Sequence, residues 1–138
     1  MASTEIVYRL DPYPTDAELA RIWGTAWGEP WTGELARILP RSIVHAGAYA
    51  DGALVGYVNV AWDGAGHAFL LDTTVDPHYQ RRGIATELVR RVTEAARDRG
   101  AEWLHVDYEP KLDAFYKACG FRPTLAGLIE LRRSGTGT

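Results

Sequence analysis

The chain has 138 residues, 46% apolar and 24% charged, with a formal net charge of −3. That balance suits a globular domain with a real core and excludes a general nucleic-acid-binding surface. A single cysteine (Cys119), no basic-then-apolar N-terminus and no long apolar run exclude a disulfide framework, a signal peptide and a membrane span; the expected compartment is the cytoplasm.

Residues 5–10 read as a first strand. Thr15-Asp16-Ala17-Glu18 has the form of a capping box, and Leu19, Ile22, Trp23, Ala26 and Trp27 follow at helical spacing. Gly28-Glu29-Pro30 breaks that helix, and a shorter one carries Leu35, Ile38 and Leu39 to Pro40. Residues 43–50 and 53–62 are strands about an Asp51-Gly52 hairpin turn, and 67–75 is the next strand of a meander. Residues 84–99 give the clearest helix, with Ile84, Ala85, Leu88, Val89, Val92, Ala95 and Ala96 on one stripe before Gly100. Residues 102–108 form a strand reached through that helix, hence parallel to the one before it. A short helix at 110–119 and strands at 121–124 and 127–132 follow. Residues 1–133 are expected to make one domain and 134–138 a short disordered tail. The order predicts an α+β fold, an α/β/α sandwich about a mixed sheet of about seven strands with four helices.

The stretch Val75-Asp76-Pro77-His78-Tyr79-Gln80-Arg81-Arg82-Gly83-Ile84-Ala85 leaves an apolar strand, passes a proline turn and opens a helix. Backbone N–H groups at such a helix start carry partial positive charge and can hold phosphate. Residues 81–99 hold six arginines against Glu87, Glu94 and Asp98, a local +3 in an acidic chain. A small anionic ligand fits this better than a polymer. Neither a Gly-Lys-Ser/Thr phosphate loop nor a Gly-x-Gly-x-x-Gly turn is present.

Gln-x-x-Gly-x-Ala at 80–85, with Tyr-x-x-x-Gly-Phe at 116–121 one strand later, resembles the GNAT superfamily of N-acetyltransferases over nearly the whole chain. The resemblance implies the acyl-CoA N-acyltransferase fold and acetyl-CoA as co-substrate. Gln80, Arg81, Arg82, Gly83, Ile84 and Ala85 would wrap the CoA pyrophosphate, with Thr86 adding a hydroxyl. Ala85 stands where the family often has a second glycine. Thr73, Thr74 and Val75 would pair with pantetheine as an added strand, one N–H polarising the thioester carbonyl. Tyr116 would protonate the departing thiolate, and some relatives carry a carboxylate base where His105 aligns.

An amine acceptor must lose a proton before it attacks a thioester. His105 shares a strand face with Asp107, and Asp72 interrupts an apolar strand; His105 and Asp72 are the candidate bases. Trp27, Trp31, Trp62 and Asp107 are candidates for the acceptor pocket. His45 and His67 stand isolated, and no metal constellation is read. Cys119 reads as a buried structural thiol rather than an acyl carrier. The expected function is acetyl transfer by direct attack of a small-molecule primary amine, with no nucleic-acid or membrane partner and a possible homodimer. The alternatives are a non-catalytic acyl-CoA-binding regulatory module, or acetylation of a protein N-terminus or lysine.

Overall fold

The computed structural model describes residues 4–132, so the tail expected at 134–138 lies outside the described residues. The chain divides into two compact units, Met1–Val106 and Asp107–Thr138.

The first unit is built on a sheet of β1 (Ile6–Leu10), β2 (Ser42–Ala50), β3 (Ala53–Trp62), β4 (His67–Val75) and β5 (Trp103–His105), in that spatial order. The first four strands run antiparallel and β5 lies parallel to β4. Three helices belong to this unit: α1 (Asp16–Trp27), α2 (Leu35–Ile38) and α3 (Ile84–Asp98).

Helix α1 starts where the sequence says it should. Thr15 Oγ1 accepts from the Glu18 N–H at 3.1 Å, and the Glu18 carboxylate accepts from the Thr15 N–H at 2.9 Å. Such a cap is worth about 1 kcal/mol. Leu19, Ile22 and Trp23 then bury against Leu35, Leu39, Leu54 and Tyr57. Helix α3 buries Ile84, Leu88, Val89, Val92, Ala95 and Ala96. Gly56 of β3 makes room for it, since a Cβ there would stand 3.0 Å from Ile84 Cγ2 and from Leu88 Cδ1. Gly56 therefore faces α3, while the next residue, Tyr57, faces α1. Each Leu, Ile or Val buried this way stabilises the fold by roughly 1.5–3 kcal/mol.

The second unit holds α4 (Asp113–Ala118), the fourth helix among the described residues. Two expectations are corrected. The strand expected over 102–108 is three residues long, because pairing with β4 ends at the Phe69–His105 rung. No strand forms at 121–124 or 127–132, so the described sheet has five strands rather than seven. Pro123 lacks an N–H there, and of Leu125, Leu128, Ile129 and Leu131, Leu128 falls on the opposite strand face from the others. All four side chains are exposed.

Candidate functional site

Strand β4 is paired differently along its length. Its first residues have β5 beside them, in the rungs His67–Trp103, Ala68–Leu104 and Phe69–His105. From Leu70 to Val75 that edge has no strand beside it among the described residues, although β4 continues. The other edge carries a bulge in the same stretch. Register with β3 passes from Asn59–Leu71 to Tyr57–Thr74, so Asp72 and Thr73 together face Val58. Asp72 has φ 60°, in the left-handed region. A bulge leaves backbone groups outside the ladder and re-aims them. The bulge at 72–73 thus falls within the open edge, which continues over the Thr73, Thr74 and Val75 expected to hold an acyl donor.

On the bulged stretch of β4 Thr74 is buried, Asp72, Thr73 and Val75 are half-buried and Leu71 is exposed. The Trp27 indole N–H donates to Thr74 Oγ1 at 3.0 Å, and that hydroxyl donates to the Asp72 carbonyl at 2.9 Å. Burial pushes the half-buried Asp72 carboxyl above the usual carboxylate range. Burial, with the Asp72 and Asp16 carboxylates adding to it, also raises the Tyr57 phenol. The Tyr57 hydroxyl, the Asn59 amide and the Thr73 hydroxyl are buried without a hydrogen bond.

Beyond Val75 the chain turns tightly. The Asp76 N–H donates to the Val55 carbonyl at 2.8 Å. The Asp76 carboxylate accepts from the His78 N–H at 3.0 Å, capping a short 3-10 turn over Pro77–Tyr79. Arg81 and Gly83 adopt φ of 65° and 74°, and Gly83 precedes α3 with no side chain capping the helix. The first N–H groups of α3 have no partner within the helix. A Cβ built on Gly83 meets nothing within 4 Å, so the turn's outer side is open. A turn of this kind forms an anion-binding concavity.

The charge around it is more local than the sequence count implies. Glu87, in the first turn of α3, takes bonds from Arg90 at 2.6 Å and Arg91 at 2.6 Å; these hold its carboxyl down to about 2. Arg99 pairs with Asp11 at 2.8 Å. The exposed charge at the turn comes from Arg81 and Arg82, the latter lying over the Tyr79 ring at 5.1 Å. Ile84 is buried against Gly56, so only its backbone belongs to the turn. Ala85 is half-buried and Thr86 is exposed in the first helical turn.

His105 is exposed at the last rung of β5, stacked on Phe69 with centroids 4.8 Å apart. Its Nε2 lies 2.8 Å from His67 Nδ1, so His67 is not isolated. The separation of 38 positions hid this pair from sequence reasoning. His45 is buried; its Nε2 accepts from the Tyr13 N–H at 2.9 Å, and burial pushes its pKa down, a structural role.

The three expected pocket tryptophans are not brought together. Trp27 and Trp31 both pack on Trp23, at 5.3 and 4.7 Å, and Trp31 donates to Asp16 at 2.8 Å. Trp62 pairs with Ala68, near the opposite end of β4 from Thr74. Among the described residues no group of three or more His, Cys, Asp or Glu is arranged to hold a metal, and no helix is long and apolar enough to cross a membrane.

In the second unit Tyr116 is buried, stacked on Tyr108 at 4.7 Å and edge-on to Phe115 and Phe121. The Phe121 N–H donates to the Tyr116 carbonyl at 3.0 Å and the Gly120 N–H to the Lys117 carbonyl at 3.0 Å, with Gly120 at φ 102°. This is a Schellman stop for α4, closed by its ring contact. Asp107 is exposed, and burial pushes the Cys119 thiol up.

The acetyltransferase (GNAT) family profile matches residues 11–121. A mycothiol acetyltransferase of Mycolicibacterium vanbaalenii is 34% identical over 90 residues, covering 65% of this chain and 29% of that protein. Glucosamine 6-phosphate N-acetyltransferase 1 of Oryza sativa subsp. japonica is 40% identical over 50 residues, covering 36% of this chain and 30% of that protein. The chain thus aligns with under a third of the length of these curated relatives. A GNAT-family acetyltransferase from Streptococcus pneumoniae superposes with a TM-score of 0.77 at 24% identity, covering 94% of this chain and all of that one. An aminoglycoside N-acetyltransferase in complex with CoA superposes with a TM-score of 0.73 at 19% identity, covering 96% of this chain and 98% of that one.

Proposed function

The chain belongs to the acetyltransferase (GNAT) family, and from that premise we propose that it is an N-acetyltransferase moving an acetyl group from acetyl-CoA to the amine of a small molecule. One observation carries the reading. Along its bulged stretch, the unpaired edge of β4 leads into the open turn at Gly83. An extended thioester donor matches that sequence of sites. Its pantetheine arm adds to the strand edge through backbone bonds, and its pyrophosphate meets the N–H groups of residues 80–86.

The chemistry follows from the groups present. The ammonium gives a proton to a base, and the neutral nitrogen attacks the thioester carbon. A main-chain N–H of the 73–75 segment holds the oxyanion that forms. The carbon–sulfur bond then breaks, Tyr116 protonates the thiolate, and the nitrogen gives up its second proton, which restores the phenol; an ordinary phenol, with a pKa of about 10, is protonated at neutral pH. His105, whose Nε2 lies 2.8 Å from His67 Nδ1, is one candidate base. Asp72 is the other. The acceptor class rests on the relatives, three of which are named for mycothiol, glucosamine 6-phosphate and aminoglycosides.

The test is thiol release from acetyl-CoA across a panel of aminoglycosides, amino sugars, amino acids and peptides. Amine-dependent release with one small-molecule class is expected. CoA binding without release across the panel would turn the reading into a binding module, and release with peptides alone would move the acceptor to protein.

A further inference from the structure

The bulge in β4 is held by a hydrogen-bond chain that begins on α1. Asp72 sits at φ 60°, a conformation that costs a non-glycine residue roughly 1–2 kcal/mol. Something in the fold must hold it. A threonine hydroxyl has one proton to give. Thr74 gives that proton to the Asp72 carbonyl at 2.9 Å and accepts the Trp27 indole proton at 3.0 Å, so the chain has a fixed direction. Thr74 is 2% exposed, and water does not compete for these bonds.

Trp27 is itself held in place. It is the last residue of α1 and packs on Trp23, which packs on Trp31. Earlier in α1, Arg21 donates to the Leu54 carbonyl and lies 3.7 Å from the Asp76 carboxylate. Helix α1 is therefore tied to β4 at the bulge and again where the strand ends.

We propose that Trp27 and Thr74 are positioning residues: the chain Trp27–Thr74–Asp72 carbonyl holds the β4 bulge in the shape that presents a main-chain N–H to the acyl carbonyl. The inference rests on the proposed acetyl transfer. It gives Trp27 a role through the backbone rather than as pocket wall, and it makes the carbonyl of Asp72 the part of that residue that matters to the bulge.

The experiment reads the carbonyl directly and needs no acceptor. The full chain is loaded with acetyl-CoA carrying ¹³C at the acetyl carbonyl, and the bound carbonyl stretch is compared with that of free acetyl-CoA by isotope-edited infrared spectroscopy. In the unaltered protein the stretch moves to lower frequency. Thr74→Val loses most of that shift in acetyl-CoA bound at saturation. Thr74→Ser keeps the shift, and Trp27→Phe loses a smaller part of it. A full shift in both Thr74→Val and Trp27→Phe overturns the proposal. Equal loss of the shift in Thr74→Ser overturns it in favour of a merely structural bond. If Thr74→Val does not fold, Trp27→Phe decides on the same terms, its ring being 48% exposed. No shift in the unaltered protein sinks the acetyl-transfer geometry itself, and the positioning role with it.

Discussion

Two glycines in the left-handed region stand at helix ends, with opposite consequences. Gly83, at φ 74°, precedes α3, and Gly120, at φ 102°, follows α4. Before α3 the turn leaves N–H groups unclaimed beside an open space. After α4 the turn spends its N–H groups on the helix's own carbonyls and folds Phe121 back onto Tyr116. One conformation makes a socket and the other a seal. A glycine in a motif therefore says little until the fate of its neighbours' hydrogen bonds is known.

The largest expected effect tests whether the sealed motif also does chemistry. Tyr116→Phe keeps the ring and its stacking on Tyr108. If the hydroxyl is the acid, turnover with a responsive amine falls about 100-fold while CoA affinity holds. Unchanged turnover, with chemistry rate-limiting, would reduce the motif to a helix stop.

Gly83→Glu attacks the socket. CoA affinity by calorimetry should fall roughly 100-fold, since the new carboxylate repels phosphate and loosens bonds worth about 3 kcal/mol. A native circular dichroism spectrum is expected beside that loss, because the added side chain meets nothing within 4 Å of its Cβ. Left-handed strain at φ 74° should cost about 1–2 kcal/mol of stability. Undiminished binding would move the phosphates elsewhere.

Gly120→Ala makes the converse change. Left-handed strain should cost about 1–2 kcal/mol, read as a lower melting temperature, with CoA affinity unaltered. A parallel fall in affinity would erase the contrast between the two turns.

The smallest effect concerns the floor beneath the bulge. Tyr57→Phe removes a buried hydroxyl that makes no hydrogen bond. Stability should stay within about 1 kcal/mol of the parent or rise. A larger loss, measured by urea unfolding, would mean that the hydroxyl is engaged.

How much the sequence disclosed follows from how far apart the partners lie. The turn after β4 was legible because Pro77, Gly83 and the apolar stripe from Ile84 act within one short stretch. The capping box at Thr15 was legible for the same reason. The Trp27–Thr74 bond joins residues 47 positions apart, and neither residue type announces it. The positive φ of Asp72 has no local signal beyond the residue's tolerance for it. The terminal strands at 121–124 and 127–132 were over-read, because β-branched and apolar residues describe a strand's surface and not its partner.

Gly33 carries a consequence for which sequences this fold admits. A Cβ at position 33 would lie 2.5 Å from a ring carbon of Trp31, and that indole is anchored on Asp16. Positions 31 and 33 are consequently not independent: a side chain at 33 displaces the Trp31 indole from Asp16 or calls for a smaller residue at 31. Random libraries built on this chain should recover changes at 33 more often in the company of a change at 31 than alone.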